Sequence, residues 1–225
     1  MPDLAPAAGC MHTVDCTDES VLQLSLFRPV NTAQVSDTNS GGVFTSSIDA
    51  TGGGITPTKS YVYVKFTDTG LNTINLGDED AFTSGDWDLA FRRFIIRLNS
   101  GVSGPSCVTA ARTATGNTFD AVTSVPAGLD YRTEEYFTPP PSCGYVPDGS
   151  GLMSPGTALQ SFWEYPGCVK MTGNVFIIAL ADGRHVKLVV TNYYTDASQM
   201  QCDTMGTIPQ PSGSGNVKVK WAFLP

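Results

Sequence analysis

Asp182-Gly183 separates two apolar runs, residues 175–180 and 184–194, and constrains the fold more than any other stretch of this chain. In the second run Val186, Leu188 and Val190 alternate with His185 and Lys187, the two-residue period of a strand with one buried face. An Asp-Gly between such runs is a strong hairpin signal. The same reasoning predicts a hairpin in which residues 61–66 and 71–76 flank Thr67-Asp68-Thr69-Gly70, a strand over 43–48 within an otherwise looped 36–58 stretch, and a closing strand over 217–223. Residues 21–27, where Leu22, Leu24 and Leu26 alternate, read as a first strand, with Thr17-Asp18-Glu19 as a competing helix start.

With 23 Gly, 15 Pro and hardly a window at helical spacing, the chain reads as all-β, with few short helices. Its 225 residues suit a single domain over 19–225, preceded by a tether over 1–18 that Pro2 and Pro6 punctuate. A net charge of −8 argues against nucleic acid or an anionic membrane as partner, since either calls for a clustered basic face. No apolar run reaches bilayer-spanning length.

The six cysteines, Cys10, Cys16, Cys107, Cys143, Cys168 and Cys202, form no C-x-x-C pair and no C-x-x-C-H, which weakens zinc, redox and covalent-haem readings. Disulfides in an oxidising compartment follow. Cys10 and Cys16 are the natural local pair. Cys10 also follows Ala7-Ala8-Gly9 in the manner of a lipoprotein signal, though no hydrophobic stretch precedes it. The other four surround the irregular stretch between 107 and 168, and long ordered loops in a compact domain are usually functional or cross-linked. Four cysteines permit three connectivities.

Residues 86–101 open with Asp86-Trp87-Asp88 and close at Asn99-Ser100-Gly101, a turn signal. Between these, Phe94, Ile96 and Leu98 alternate with Arg93, Ile95 and Arg97, which predicts one extended strand. The segment resembles the signature of the HmuY family, surface-attached or secreted haem-binding proteins of Gram-negative bacteria. Similar landmarks follow in order over residues 60–225: Tyr61-Val62-Tyr63, Val125-Pro126, Phe162-Trp163-Glu164-Tyr165, Val175-Phe176-Ile177-Ile178 before Asp182-Gly183, Lys187-Leu188-Val189-Val190, and Tyr193-Tyr194. The resemblance implies a β-rich, hand-like fold that holds haem between loops of its C-terminal half, with two His or two Met on the iron.

The chain departs from bis-histidine ligation. His12 lies in the tether and His185 on a strand face expected to meet solvent, so neither suits the ligand loops. Those loops offer Met153 and Met171, soft thioether ligands, and Tyr165, whose phenolate suits ferric haem. The competing roles are ordinary packing for Met171 and Tyr165 and a free loop for Met153. Arg92, Arg93 and Arg97 could fork onto haem propionates, but ion pairing with Asp86, Asp88 or the acidic loop at 78–80 is the stronger reading. That acidic loop lacks EF-hand spacing, and no metal site is assigned. No G-x-S-x-G, H-E-x-x-H or P-loop supports catalysis.

The expectation is a non-catalytic, haemophore-like protein that binds haem or a related tetrapyrrole noncovalently. It would work on the outer-membrane surface, with or without a lipid anchor, or outside the cell, taking haem from a haem-carrying protein and serving a TonB-dependent receptor. The rival is a self-associating structural component of the cell surface that keeps the fold without haem.

Overall fold

Gly183 takes a φ of 87°, which a side chain would strain, and Leu180 and Arg184 bond across the turn, the Leu180 N–H donating to the Arg184 carbonyl at 2.9 Å. The flanking residues pair in antiparallel register, Ile178 opposite Val186. The computed structural model describes residues 9–26, 30–32, 35–54 and 58–225. Along it run helix α1 (Thr17–Leu24), the hairpin β1 (Val35–Ser40) and β2 (Val43–Asp49), and the hairpin β3 (Val62–Thr67) and β4 (Gly70–Ile74). β5 (Leu89–Arg92), β6 (Ile95–Leu98) and β7 (Thr109–Arg112) precede a long irregular stretch. β8 (Trp163–Glu164), β9 (Lys170–Met171), β10 (Val175–Ala179), β11 (His185–Asn192), helix α2 (Asp196–Met205) and β12 (Asn216–Leu224) complete the chain.

The strands form a six-stranded sheet, β1-β2-β12-β11-β10-β7, a four-stranded sheet, β4-β3-β5-β6, and the small ribbon β8-β9. Every pairing is antiparallel. The fold is therefore mostly β, as expected. One core cluster takes its side chains from both sheets, with Phe44, Val64, Phe66, Phe91, Leu188 and Trp221 among them. Trp221 stacks on Phe44 at 4.3 Å and meets Phe66 edge-on at 4.9 Å, so a single indole joins the two layers.

Both faces of β11 are covered, which corrects the expectation that His185 and Lys187 face solvent. Val186, Leu188 and Val190 enter the core between the sheets, while Phe119, Val122, Leu129 and Tyr131 of the irregular stretch pack on the other side against Val175, Ile177 and Val189. Lys187 is buried and its Nζ donates to the Phe119 and Val122 carbonyls at 2.9 and 2.7 Å. Burial lowers the Lys187 pKa, and the bonds to these two carbonyls tie the ammonium to the loop that covers it.

Residues 17–24 are helical rather than extended, and Phe27 lies outside the described residues. The alternating leucines misled because Leu24 and Leu26 point inward from a helix end and the turn after it, with Ser25 at a φ of 51°. They pack on Tyr61, Tyr63 and Trp87 in a second core cluster. Polar β1, expected as loop, is an edge strand. Asp37 holds it by accepting from Ser46 Oγ and, at 3.0 Å, from the Leu71 N–H.

All six cysteines are paired: Cys10–Cys107, Cys16–Cys143 and Cys168–Cys202, with Cα–Cα distances of 5.3, 5.7 and 6.1 Å. The expected Cys10–Cys16 pair does not form. From residue 9 onward the segment read as a tether is stapled to the domain at both cysteines, and residues 1–8 lie outside the described residues.

Candidate functional site

The segment expected as one strand through Arg97 is a hairpin. Arg92 pairs with Ile95, and the turn residue Arg93 has a φ of 56°. Doubling back separates the three arginines. Arg92 and Arg97 are buried, whereas Arg93 is carried with Phe94 to the hairpin tip.

That tip meets the β8–β9 ribbon. Phe94 lies 5.1 Å from Trp163, which in turn meets Tyr165 edge-on at 6.4 Å. On its other side Phe94 approaches Tyr193 at 6.0 Å, and the Arg93 guanidinium sits 5.7 Å over the Tyr193 ring while donating to Ser214 Oγ at 3.1 Å. Burial pushes the Tyr193 phenol up to about 12, with nearby Arg93 opposing the shift. An aromatic ladder thus runs from Tyr193 through Phe94 and Trp163 to Tyr165. Its last ring is 48% exposed.

Helix α2 holds the ribbon in place. Gln199 accepts the Tyr193 N–H at 2.8 Å and donates to the Val169 carbonyl at 3.1 Å and to Asp203 Oδ1 at 2.9 Å. Asp203 in turn accepts the Met171 N–H at 3.0 Å, and the Tyr194 hydroxyl accepts the Val169 N–H at 3.0 Å. The Cys168–Cys202 disulfide locks the same two elements. A ribbon with two residues per strand could not stand alone, so these bonds set where Tyr165 points.

A second loop, over 145–155, carries Met153. This residue is 68% exposed at a φ of 56°, and its carbonyl accepts the Tyr145 hydroxyl at 2.8 Å. Tyr145 packs against the second core cluster, and the Pro147–Pro155 bridge closes the loop at its base. Met171, by contrast, stands across the ribbon from Trp163 and packs against the main core.

Residues 57–204 match the family described as HmuY protein. The chain belongs to the HmuY family. Among solved structures, an HmuY-like protein from Bacteroides vulgatus, described as heme binding, aligns over 84% of this chain and 96% of its own, at 18% identity and a TM-score of 0.51. The apo HmuY analog of Tannerella forsythia aligns over 87% and 98%, at 20% identity and a TM-score of 0.44. At such identities the first of these likenesses speaks for the fold. No curated protein matches the chain in sequence.

The HmuY signature segment thus has a mainly architectural role in this chain. Trp87 Nε1 donates to the Ala81 carbonyl at 3.2 Å, Asp88 Oδ2 accepts the Phe66 N–H at 2.9 Å, and Asn99 Nδ2 donates to the Trp87 carbonyl at 2.8 Å. Arg92 bonds the Leu24 carbonyl and stands 3.8 Å from Asp78, in line with the ion-pair reading. Arg97 bonds Ser103 instead of a carboxylate. The fold places Tyr165 and Met171 beside Trp163, Arg93 next to Phe94 on the hairpin tip that meets Trp163, and Met153 on its own loop. Sequence reasoning missed α2, although Thr195-Asp196 and Met205-Gly206 carry start and stop signals, Gly206 having a φ of 71°.

The donors present fit haem. Met153 and Tyr165 are exposed, lie on different loops and offer a thioether and a phenol, both known axial chemistries. Phe94 and the buried Trp163 back the Tyr165 ring, and a guanidinium such as that of Arg93 is a group that suits a propionate.

Proposed function

We propose that this HmuY-family chain is a non-catalytic protein that binds haem or a related tetrapyrrole noncovalently between the 145–155 loop and the β8–β9 ribbon. The observation that carries this reading is the contrast in exposure among the donors. Met153 and Tyr165 are 68% and 48% exposed, so both side chains are within reach of a ligand, whereas Met171 is drawn against the core. Met153 and Tyr165 are therefore assigned to the iron, Arg93 to a propionate, and Met171 to the floor. Arg92 and Arg97 are too deeply buried to serve.

Disulfide pairing suits an oxidising compartment, so the protein acts outside the cell or on the outer-membrane surface of a Gram-negative bacterium. Among the described residues no helix is long and apolar enough to cross a membrane. A haemophore role follows, with haem taken from a haem-carrying protein and passed to a TonB-dependent receptor.

Titrating haemin into the purified protein tests the reading. A saturable Soret shift is expected. Tyr165→Phe should weaken the ferric complex and Met153→Ala the ferrous one, because phenolate is the harder ligand and thioether the softer. Met171→Leu should leave both spectra unchanged. If the wild-type protein shows no saturable shift in either redox state, the haem reading fails and a structural role at the cell surface replaces it.

A further inference from the structure

Two clefts adjoin at the start of α1, where Asp15 and Cys16 line one and Thr17 and Asp18 the other. Their volumes, about 340 and 590 Å³, are those of ligand-binding clefts. The first has Val102, Phe137, Pro139 and Pro140 in its walls, with the carboxylates of Asp15 and Glu135. The second has Val21, Leu22 and Phe82, with the carboxylates of Asp18 and Glu79. Each cleft repeats one pattern, an apolar wall beside two acids.

All four acids are exposed, and among the described residues none of them stands at ion-pair distance from a lysine or arginine. Asp68, Asp120, Asp182, Asp196 and Glu164, by contrast, are each paired with one. No lysine or arginine lines either cleft, and His12, in the first, holds Nε2 3.2 Å from the Gly101 carbonyl. Glu134, also in the first, spends its two carboxylate oxygens on the Leu98 and Ala158 N–H groups. The charge of the four acids is therefore uncompensated at the surface, which attracts cations and repels the phosphates of nucleic acid and anionic lipid. Beside them Leu22 leaves 67% of its apolar surface in water.

This surface is held in shape by the fold. The Cys16–Cys143 disulfide ties the start of α1 to the segment that carries Pro139 and Pro140, and Ser20 Oγ donates to the Val102 carbonyl at 3.3 Å. Val21 and Phe82 pack against the second core cluster, so a partner has little to order here on binding.

We propose that the two clefts dock a basic polypeptide segment in which lysine or arginine stands beside large apolar residues. The apolar side chains and the stems of the basic ones lie on the walls, and the ammonium or guanidinium heads reach the carboxylates. A small polyamine would satisfy the acids but leave both apolar walls wet, so the two features together favour a chain. The first cleft also adjoins the support of the Met153 loop, since Phe137 lies 5.8 Å from Tyr145, whose hydroxyl bonds the Met153 carbonyl. Docking itself needs no haem, so it stands or falls apart from the haem reading.

Fluorescence polarisation tests this with a labelled peptide of about ten residues, lysine pairs alternating with leucine pairs so that each face of the extended chain carries both. Saturable binding is expected, and amide exchange in the complex should slow over residues 12–22, 79–83 and 133–140. Asp15→Asn together with Glu135→Gln should weaken binding at least about fivefold. Asp120→Asn together with Asp130→Asn removes the same charge from the segment that covers β11 and should change binding little. Leu22→Ser, at an exposed position, should weaken it, and so should serine in place of leucine in the peptide. Absence of saturable binding, equal weakening by the two double variants, equal affinity for the serine peptide, or protection elsewhere on the wild-type protein would overturn the proposal.

Discussion

Phe94 lies 5.1 Å from Trp163, and this contact joins the motif-bearing hairpin to the ribbon that presents Tyr165. Arg93 forces the turn that delivers Phe94, and α2 grips the ribbon that delivers Trp163. Removing the Phe94 ring should therefore loosen the ribbon. Phe94→Ala is expected to cost roughly 1–3 kcal/mol, less than a full core phenylalanine because the site is partly open. Haemin affinity should fall with it. Urea unfolding and haemin titration of the same variant check both, and a variant as tight-binding as the wild type would uncouple the hairpin from the site.

Two buried carboxyls give stability a definite pH dependence. Burial pushes Asp88 up to about 7 from 3.8, with the Phe66 N–H opposing, and pushes Glu134 up to about 7 from 4.5, with the Leu98 and Ala158 N–H groups opposing. Between the ordinary and the shifted values the folded state holds protons that the unfolded state has released. The stabilising contribution is therefore complete below the ordinary values and lost as pH rises through about 7. Urea unfolding should give a smaller free energy near pH 8 than near pH 5, from about half to twice the few kcal/mol typical of a multi-unit shift. Asp88→Asn, which keeps an oxygen for the Phe66 N–H, should flatten that slope. An unchanged slope would mean that Asp88 ionises normally in the folded protein.

The Cys168–Cys202 disulfide closes a loop between residues 34 apart and ties Tyr165's ribbon to α2. Replacing both cysteines by serine should lower stability by about 2–4 kcal/mol. Haemin binding should weaken further than in a Cys10→Ser, Cys107→Ser variant, whose bridge ties neither the ribbon nor α2. Alkylation of the wild-type protein without reductant, followed by mass spectrometry, should find none of the six cysteines modified.

Lys187→Ala removes the two bonds from Nζ to the Phe119 and Val122 carbonyls and the ammonium's contact with the Phe119 ring at 4.3 Å. The 114–131 segment should then open locally, so hydrogen exchange there should accelerate while exchange in β2 and β12 stays slow. Uniform acceleration across both sheets would show that the segment is integral to global stability instead.

How much of this was legible in the sequence depends on whether a residue's role was set locally. The hairpin at Asp182-Gly183, the one at Asp68-Thr69 and the closing strand were readable because alternation and turn chemistry act within a few residues. The turn at Arg93 was not, since a left-handed arginine between two strands has no signal of its own and the apolar alternation runs straight through it. The disulfide partners were equally invisible, because Cys10 and Cys16 reach Cys107 and Cys143 across 97 and 127 residues. The candidate donors Met153, Met171 and Tyr165 could be named from the resemblance to the family. Their separation into exposed and packed side chains required the ribbon, α2 and the 145–155 loop to be placed in space.

Whether Tyr165 and Met153 flank a haem is measured most directly by iron-edge anomalous diffraction from crystals grown with haemin. One iron peak is expected between the 145–155 loop and the β8–β9 ribbon, within bonding distance of the Tyr165 hydroxyl or the Met153 sulfur, with Arg93 near a propionate. Ordered haem iron bound elsewhere on the molecule, with Tyr165 and Met153 left in solvent, would contradict it.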